Sequence, residues 1–338
     1  MARGRPFSPG TGGGPGRPGE WGKGGSLLKA TREAYGEALV ELGRQDVRIV
    51  ALDADLSKST YSAKFAQQYP ERFFNLGVAE ANLIGVAAGL AACGKIPFAS
   101  TFAVFATGRV YDQIRNSVAY PALNVKIAGS HSGITVGEDG ASHQALEDLA
   151  LMRALPNMTV LCPADAPEAR KATLAAAAWP GPVYLRLGRS KVPQVIPEEV
   201  PFQIGKGILL RAGGDLTLIS TGIMAGPALE AAEILRGRGL DPRVIHLHTV
   251  KPLDRELVVA AARETGAVIT VEEHNIIGGL GGAVAEVLGE ECPVPLGRVG
   301  VPDCFGQSGK PGELLEYYGL TAQHIAARAE GLLSKFRA

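Results

Sequence analysis

The chain has 338 residues, 46% of them apolar, with 34 basic and 34 acidic side chains and so no net charge. That length allows about two domains, and the neutral balance excludes a nucleic-acid binder or a membrane-surface protein that works through bulk charge. No apolar run is long and glycine-poor enough to span a bilayer. The four cysteines, Cys93, Cys162, Cys292 and Cys304, form no C-x-x-C pair, so neither a zinc site nor a disulfide framework is indicated. Three of them lie in or beside apolar runs and are expected to pack in cores, which fits a reducing cytoplasm.

Residues 1–25 hold ten glycines and four prolines together with Arg3, Arg5, Arg17 and Lys23. Such a stretch cannot bury a core or sustain a helix, and it lacks the apolar segment of a secretory signal. It is expected to be a disordered tail.

From Leu27 onward, helical and strand patterns alternate, the mark of an α/β chain with mostly parallel sheets. Leu27–Leu42 reads as a helix, Val47–Leu52 as a buried strand, and Asp53–Ser59 as a polar loop before a short helix ending near Tyr69. Arg72–Leu76 is the next strand, and it feeds an apolar helix that begins at Glu80. Ile96–Thr101 follows as a strand, Phe105–Tyr120 as a helix, Val125–Gly129 as a strand and Ser130–Ser142 as a glycine-bearing loop. Helix Leu146–Met152, strand Thr159–Cys162, helix Pro167–Ala178 and strand Val183–Leu187 complete a first domain over 26–195. Residues 196–206, with Pro197 and Pro201, read as a linker. A second α/β domain over 207–338 contains strands Leu216–Ser220, Arg243–His248, Val268–Glu272 and Leu296–Val299. Its helices are Ala228–Arg236, Glu256–Glu264, one following the turn Gly278–Gly282, and a last one from Thr321.

The stretch from Ala81 to Cys93 is apolar or small almost throughout, and it predicts a helix buried on all sides. Glu80, at its mouth, is the only ionisable side chain between Arg72 and Lys95 apart from Cys93. A carboxylate there faces the positive end of the helix dipole, which is reason enough for its presence. It could equally serve as a general acid or base in a dry site. In open parallel sheets, ligands sit outside the carboxyl ends of the strands. Five polar segments of the first domain reach that edge: Asp55–Ser59, Gly77–Glu80, Thr101–Phe105, Ser130–His143 and Gly188–Lys191. They bring Asp55, Ser59, Glu80, Phe102, Phe105, His131, Asp139, His143 and Arg189 together. The two histidines lie on a loop rather than on one helix face, which disfavours a metal centre.

The segments RFFNLGVAEANLIGVAAGLA, STFAVFATGRVYDQIRNSVAY, SHSGITVGEDGASHQALEDLALMRALPNMTVLCPAD and VYLRLGRSKVP resemble the pyrimidine-binding domain of transketolase. The second block resembles the carboxyl-terminal domain of the same thiamin-diphosphate-dependent family. No GDG…N segment of the family's amino-terminal domain is present, so the chain resembles the carboxyl-terminal subunit of a split, two-gene transketolase. The resemblance implies two-carbon ketol transfer between sugar phosphates, in pentose phosphate metabolism and in the cytoplasm. Thiamin diphosphate would be the cofactor, with Mg2+ held mainly by an amino-terminal partner subunit. The assembly would be an α2β2 heterotetramer or a homodimer of this chain, and this chain would be inactive by itself.

By the same resemblance, Glu80 would bond the cofactor's aminopyrimidine, and Phe105 would stack on it with Phe102 alongside. Asp55 would be a cofactor-side polar contact. His143 would contact the donor and assist proton transfer, Asp139 would bond the C2 hydroxyl of the acceptor, and His131 would line the channel. Arg32, Ser59 and Arg189 would hold the substrate phosphate. A third family aromatic falls near Gly108 and is missing here, which implies a more open pyrimidine pocket. The second domain, with His274 and the Gly278–Gly282 turn, is allotted no chemistry. Three alternatives share parts of this pattern: a 1-deoxyxylulose-5-phosphate synthase, the beta subunit of a 2-oxo acid dehydrogenase, and a non-catalytic scaffolding subunit. The Arg32, Ser59 and Arg189 set favours a sugar-phosphate enzyme.

Overall fold

A computed structural model describes residues 28–337, and the glycine- and proline-rich stretch expected to be a tail lies outside them. The strands are β1 (Ile49–Asp53), β2 (Phe73–Asn75), β3 (Ile96–Phe102), β4 (Lys126–Ser130), β5 (Thr159–Leu161), β6 (Val183–Arg186), β7 (Ile208–Arg211), β8 (Leu216–Ser220), β9 (Pro242–His246), β10 (Thr249–Lys251), β11 (Val268–Asn275) and β12 (Leu296–Val301). They form two sheets, ordered β10-β5-β6-β4-β3-β1-β2 and β12-β11-β8-β9-β7. Every neighbouring pair is parallel except β10 with β5 and β7 with β9. Strands β1, β3, β4, β5 and β6 are buried along their whole length, as apolar strands covered by helices on both faces must be.

Three departures from the sequence reading bear on function. The helix expected over Phe105–Tyr120 is instead a π-helical turn Phe105–Arg109, a short α turn Tyr111–Gln113 and a second π-helical turn Ile114–Ala119. Apolar periodicity shows that a helix forms but not how many residues close each turn. Strand β10 leaves the second block and pairs with β5 of the first sheet. The Glu80–Ala92 helix is not enclosed. It buries Glu80, Leu83, Ile84, Ala87 and Ala88, while Ala81, Asn82, Gly85, Gly89 and Ala92 face outward. A Cβ added at Gly85 or Gly89 would meet nothing within 4 Å. A helix without a polar face needs a cover, and this chain covers only one side of it. Cys93, which caps that helix, is exposed rather than packed, as is Cys304, whereas Cys162 is buried; all four cysteines are free. Among the described residues, no helix is long and apolar enough to cross a membrane.

The two sheets are joined by buried polar groups. Arg186 Nε donates to Asp148 Oδ2 at 2.7 Å, and Tyr184 donates to the same oxygen at 2.7 Å. Arg186 Nη2 also reaches the backbone oxygen of Glu273 at 2.9 Å, crossing from β6 to β11. In return, the Glu273 carboxylate accepts from the Thr135 amide at 2.6 Å. His246 and Glu168 pair across the same seam at 2.9 Å. Gly133 is required here, because its φ of 77° belongs to the left-handed region and a Cβ would lie 2.3 Å from the Glu273 carboxyl carbon. The loop that follows β4 is therefore gripped by the second block.

Arg186→Met would strand Asp148 as an unpaired buried charge, and the expected cost is about 3–5 kcal/mol. Equilibrium urea unfolding should show that loss. The double variant Arg186→Met with Asp148→Leu should regain a large part of it.

Candidate active site

Glu80 begins its helix at the carboxyl edge of the first sheet and is only 4% exposed. Arg109 Nη1 donates to its Oε1 at 2.9 Å. The same guanidinium lies over the Phe105 ring, 4.3 Å from its centre. Phe105 is nearly parallel to Phe102, which ends β3, with ring centres 5.8 Å apart and a 15° tilt. Phe102 stacks in turn on His131 at 3.8 Å, and His143 stands edge-on to Phe105 at 5.4 Å. One continuous row of flat groups thus runs from the Glu80 carboxylate into the site.

His131 has a φ of 56°, a conformation that histidine tolerates better than most residues. Its Nε2 lies 3.4 Å from Arg32 Nη1 and its Nδ1 lies 2.9 Å from Ser130 Oγ. Arginine can only donate, so Nε2 accepts and the ring is neutral with its proton on Nδ1. Burial, reinforced by Arg32, Arg189 and His143, pushes its pKa down to about 3. Arg32 also donates to the Ser59 carbonyl at 2.6 Å and lies over the Tyr61 ring at 5.3 Å. Its Nε is buried without a partner. Arg189 donates to the Val136 carbonyl and pairs with Asp139 at 3.4 Å. A cavity of about 210 Å3 lies between Arg32, Thr135, Val136, Glu138, Arg189, Ser190 and Pro311. Two guanidinium forks lining one hollow, one of them with an unused buried donor, suit an anion with several oxygens.

Contacts therefore connect Glu80, through Arg109, with Phe105, Phe102, His143, His131 and Arg32 in one chain, with Arg189 at the cavity paired to Asp139. Ser59 takes part through its carbonyl oxygen rather than its hydroxyl. Asp55 bonds Asn75 instead: its amide donates to Asn75 Oδ1 and Asn75 Nδ2 donates to its carboxylate, both at 3.0 Å.

The sequence reading missed two residues of the site. One is Arg109, next to the gap noted at Gly108. The other is Gln144, 3% exposed, whose amide nitrogen donates to the carbonyls of Ile134, Gly137 and Gln307 at 3.2, 3.4 and 3.0 Å. It ties the loop carrying Asp139 and His143 to the second block. A Cβ added at Gly140 would lie 2.6 Å from Ser308 Oγ, so the same loop rests on the segment before Pro311. The second block, given no chemistry from sequence, thus fixes the position of chemical groups. The only sequence signal for Gln144 is its place directly after His143.

The family described as transketolase, pyrimidine binding domain, matches residues 29–194, and that described as transketolase, C-terminal domain, matches residues 205–325. A Methanocaldococcus jannaschii protein described as a transketolase C-terminal section is 52% identical over 305 residues, covering 89% of this chain and 96% of that protein. The chain belongs to the transketolase family. A 6-deoxy-6-sulfo-D-fructose transketolase subunit from a Clostridium species is 51% identical, over 88% of this chain and 92% of its own length. Human transketolase is 40% identical over 90% of this chain, which corresponds to 49% of the human protein. A solved structure of a split gene transketolase, described as an inactive beta4 tetramer, superimposes with a TM-score of 0.85 at 58% identity, covering 90% of this chain and 98% of that one.

Membership of the transketolase family implies dependence on thiamin diphosphate. The residues fit its aminopyrimidine ring, because a flat, nitrogen-rich group already bonds Glu80 while lying on Phe105, and here that group is the Arg109 guanidinium. Among the described residues, no group of three His, Cys, Asp or Glu side chains could hold a metal ion.

A pH prediction follows from His131. Its folded pKa lies below the unfolded value of 6.5, so below pH 6.5 the unfolded chain binds the proton more readily. Stability contributed by this ring is lost as pH falls from 6.5 toward 3, by up to about 1.4 kcal/mol per unit. His131→Asn, which tolerates the same backbone conformation, should flatten that acid limb when urea midpoints are compared at pH 7 and pH 5.

Proposed function

We propose that this chain is the carboxyl-terminal subunit of a two-chain transketolase. It would move a two-carbon ketol unit from a ketose phosphate to an aldose phosphate, acting with a separate amino-terminal subunit. The observation that carries this reading is the row from Glu80 and Phe105 through His131 to Arg32, which links a ring-binding carboxylate to a cavity lined by two arginines.

When bound, thiamin diphosphate supplies the nucleophilic carbon and the electron sink for carbon–carbon cleavage. Glu80 would hold a hydrogen bond at the pyrimidine ring nitrogen, in a dry pocket where that bond is strong. Phe105 and Phe102 would fix the plane of the ring. His143 would pass a proton to and from the donor's oxygen atoms, with Phe105 holding the imidazole edge-on. Asp139 would accept from the C2 hydroxyl of the acceptor, and neutral His131 would line the path without repelling Arg32. Arg32, Ser59 and Arg189 would seat the phosphate, and Asp55 would be a further polar contact on the cofactor side. The diphosphate and most of the Mg2+ coordination would fall to the partner.

The assembly proposed is α2β2, located in the cytoplasm, with this chain inactive alone. The uncovered face of the Glu80–Ala92 helix supports burial against another chain. The relatives' own descriptions as a section and a subunit support division of labour between two chains. The solved relative, an inactive tetramer of beta chains, supports self-association without activity. A sulfosugar relative at 51% identity makes the anionic group of the substrate the property to test. Sulfonate and phosphate offer arginine similar oxygen triads.

The test is turnover of xylulose 5-phosphate with ribose 5-phosphate by the mixed subunits, run beside a sulfosugar donor and beside pyruvate. Ketol transfer with the phosphate donor is the expected result; consumption of pyruvate instead would contradict it. Glu80→Ala should lower kcat by roughly 10²–10⁴ while the assembly stays intact on a sizing column. An unchanged rate would make the chain a scaffold.

A further inference from the structure

Arg109 belongs to none of the roles given above, yet it occupies the centre of the site. Gly108 is bare, and a Cβ there would meet nothing within 4 Å. The next residue turns its guanidinium into the space over Phe105. That group is planar, presents N–H donors along its edge and offers a flat face. These are the two features by which an aminopyrimidine would engage Glu80 and Phe105.

Glu80 is 4% exposed, so a ligand ring reaching the carboxylate must take the place of the arginine. The Arg109 side chain itself is 51% exposed, and among the described residues Glu80 is its only hydrogen-bond partner. It stands at the end of the π-helical turn Phe105–Arg109 with solvent beside it. Nothing else needs to move for it to leave. While the site is empty it is needed, because a buried carboxylate without a counter-charge is costly.

We propose that Arg109 is a resting latch. In the unloaded chain it imitates the cofactor's ring, pairs with Glu80 and lies on Phe105, and when the aminopyrimidine enters it swings out to solvent. This rests on the functional reading above and adds regulation of the same site: the arginine competes with the cofactor, so cofactor affinity is set partly by this one side chain. The competing contacts are a half-exposed ion pair and a cation–π contact, each modest in water.

The test is the Kd of thiamin diphosphate, measured by calorimetry with Mg2+ on the full chain mixed with its amino-terminal partner. Arg109→Ala should bind the cofactor roughly fivefold more tightly than the natural complex. Arg109→Gln guards against a folding fault in the first variant and should also bind more tightly, by about twofold or more. If the natural complex binds and both variants bind equally or more weakly, Arg109 is no competitor and the latch is overturned, with the functional reading intact. If the natural complex takes up no thiamin diphosphate, the functional reading falls and the latch with it.

Discussion

Charge withdrawn from water must find a partner, and this fold places its buried charges where two elements have to be held together. Arg186 with the Glu273 carbonyl, Glu168 with His246, and Glu273 with the Thr135 amide all cross the seam between the two sheets. Removing one member of such a pair leaves an uncompensated charge, so each pair selects one relative placement of the sheets more sharply than apolar contact would. Lys126 obeys the same rule inside the first sheet: its three donors meet Asn124 Oδ1 and the carbonyls of Trp179 and Gly181. Glu80 and Arg109 are the exception in kind. Their pair joins no sheets, is open to solvent on one side, and lies where a ligand would bind.

The seam explains why the second block matters to a site it does not contain. The loop that carries His131, Asp139 and His143 is long and rich in glycine, and alone it would be mobile. It is fastened at Thr135 by Glu273, at Gln144 by the Gln307 carbonyl, and at Gly140 by close approach of Ser308. A rigid loop costs less to organise when substrate binds, and groups meant to hand over protons must be placed within fractions of an ångström. The second block is thus a clamp on the loop that carries the proposed site.

Much of this was legible in the sequence, for physical reasons. Strands such as Ile49–Asp53 and Ile96–Phe102 are mostly apolar, and parallel order sends the loops after them to one edge, so Glu80, Phe105, His131, His143 and Arg189 could be grouped before any coordinates. Three things were not legible. A π-helical turn and an α-helical one share the same apolar pattern, so the turn that aims Arg109 at Glu80 was invisible. A helix with no polar face declares that it is covered but not by what, and the Glu80–Ala92 helix proved half open. A short antiparallel strand such as Thr249–Lys251 carries no pattern that says which sheet it will join. Asp55 was grouped with the site by its position after β1; its pairing with Asn75 there is a detail that a loop's location does not disclose.

The central claim is that this polypeptide grips the six-membered ring of thiamin diphosphate through Glu80 while another chain holds the charged tail. The most direct measurement is a density map of the two-chain complex loaded with cofactor and Mg2+. The account predicts the aminopyrimidine nitrogen within hydrogen-bond reach of the Glu80 carboxylate, the ring plane against Phe105, and the diphosphate on the partner. A cofactor ring seated away from Glu80, or a diphosphate held by this chain alone, would contradict it.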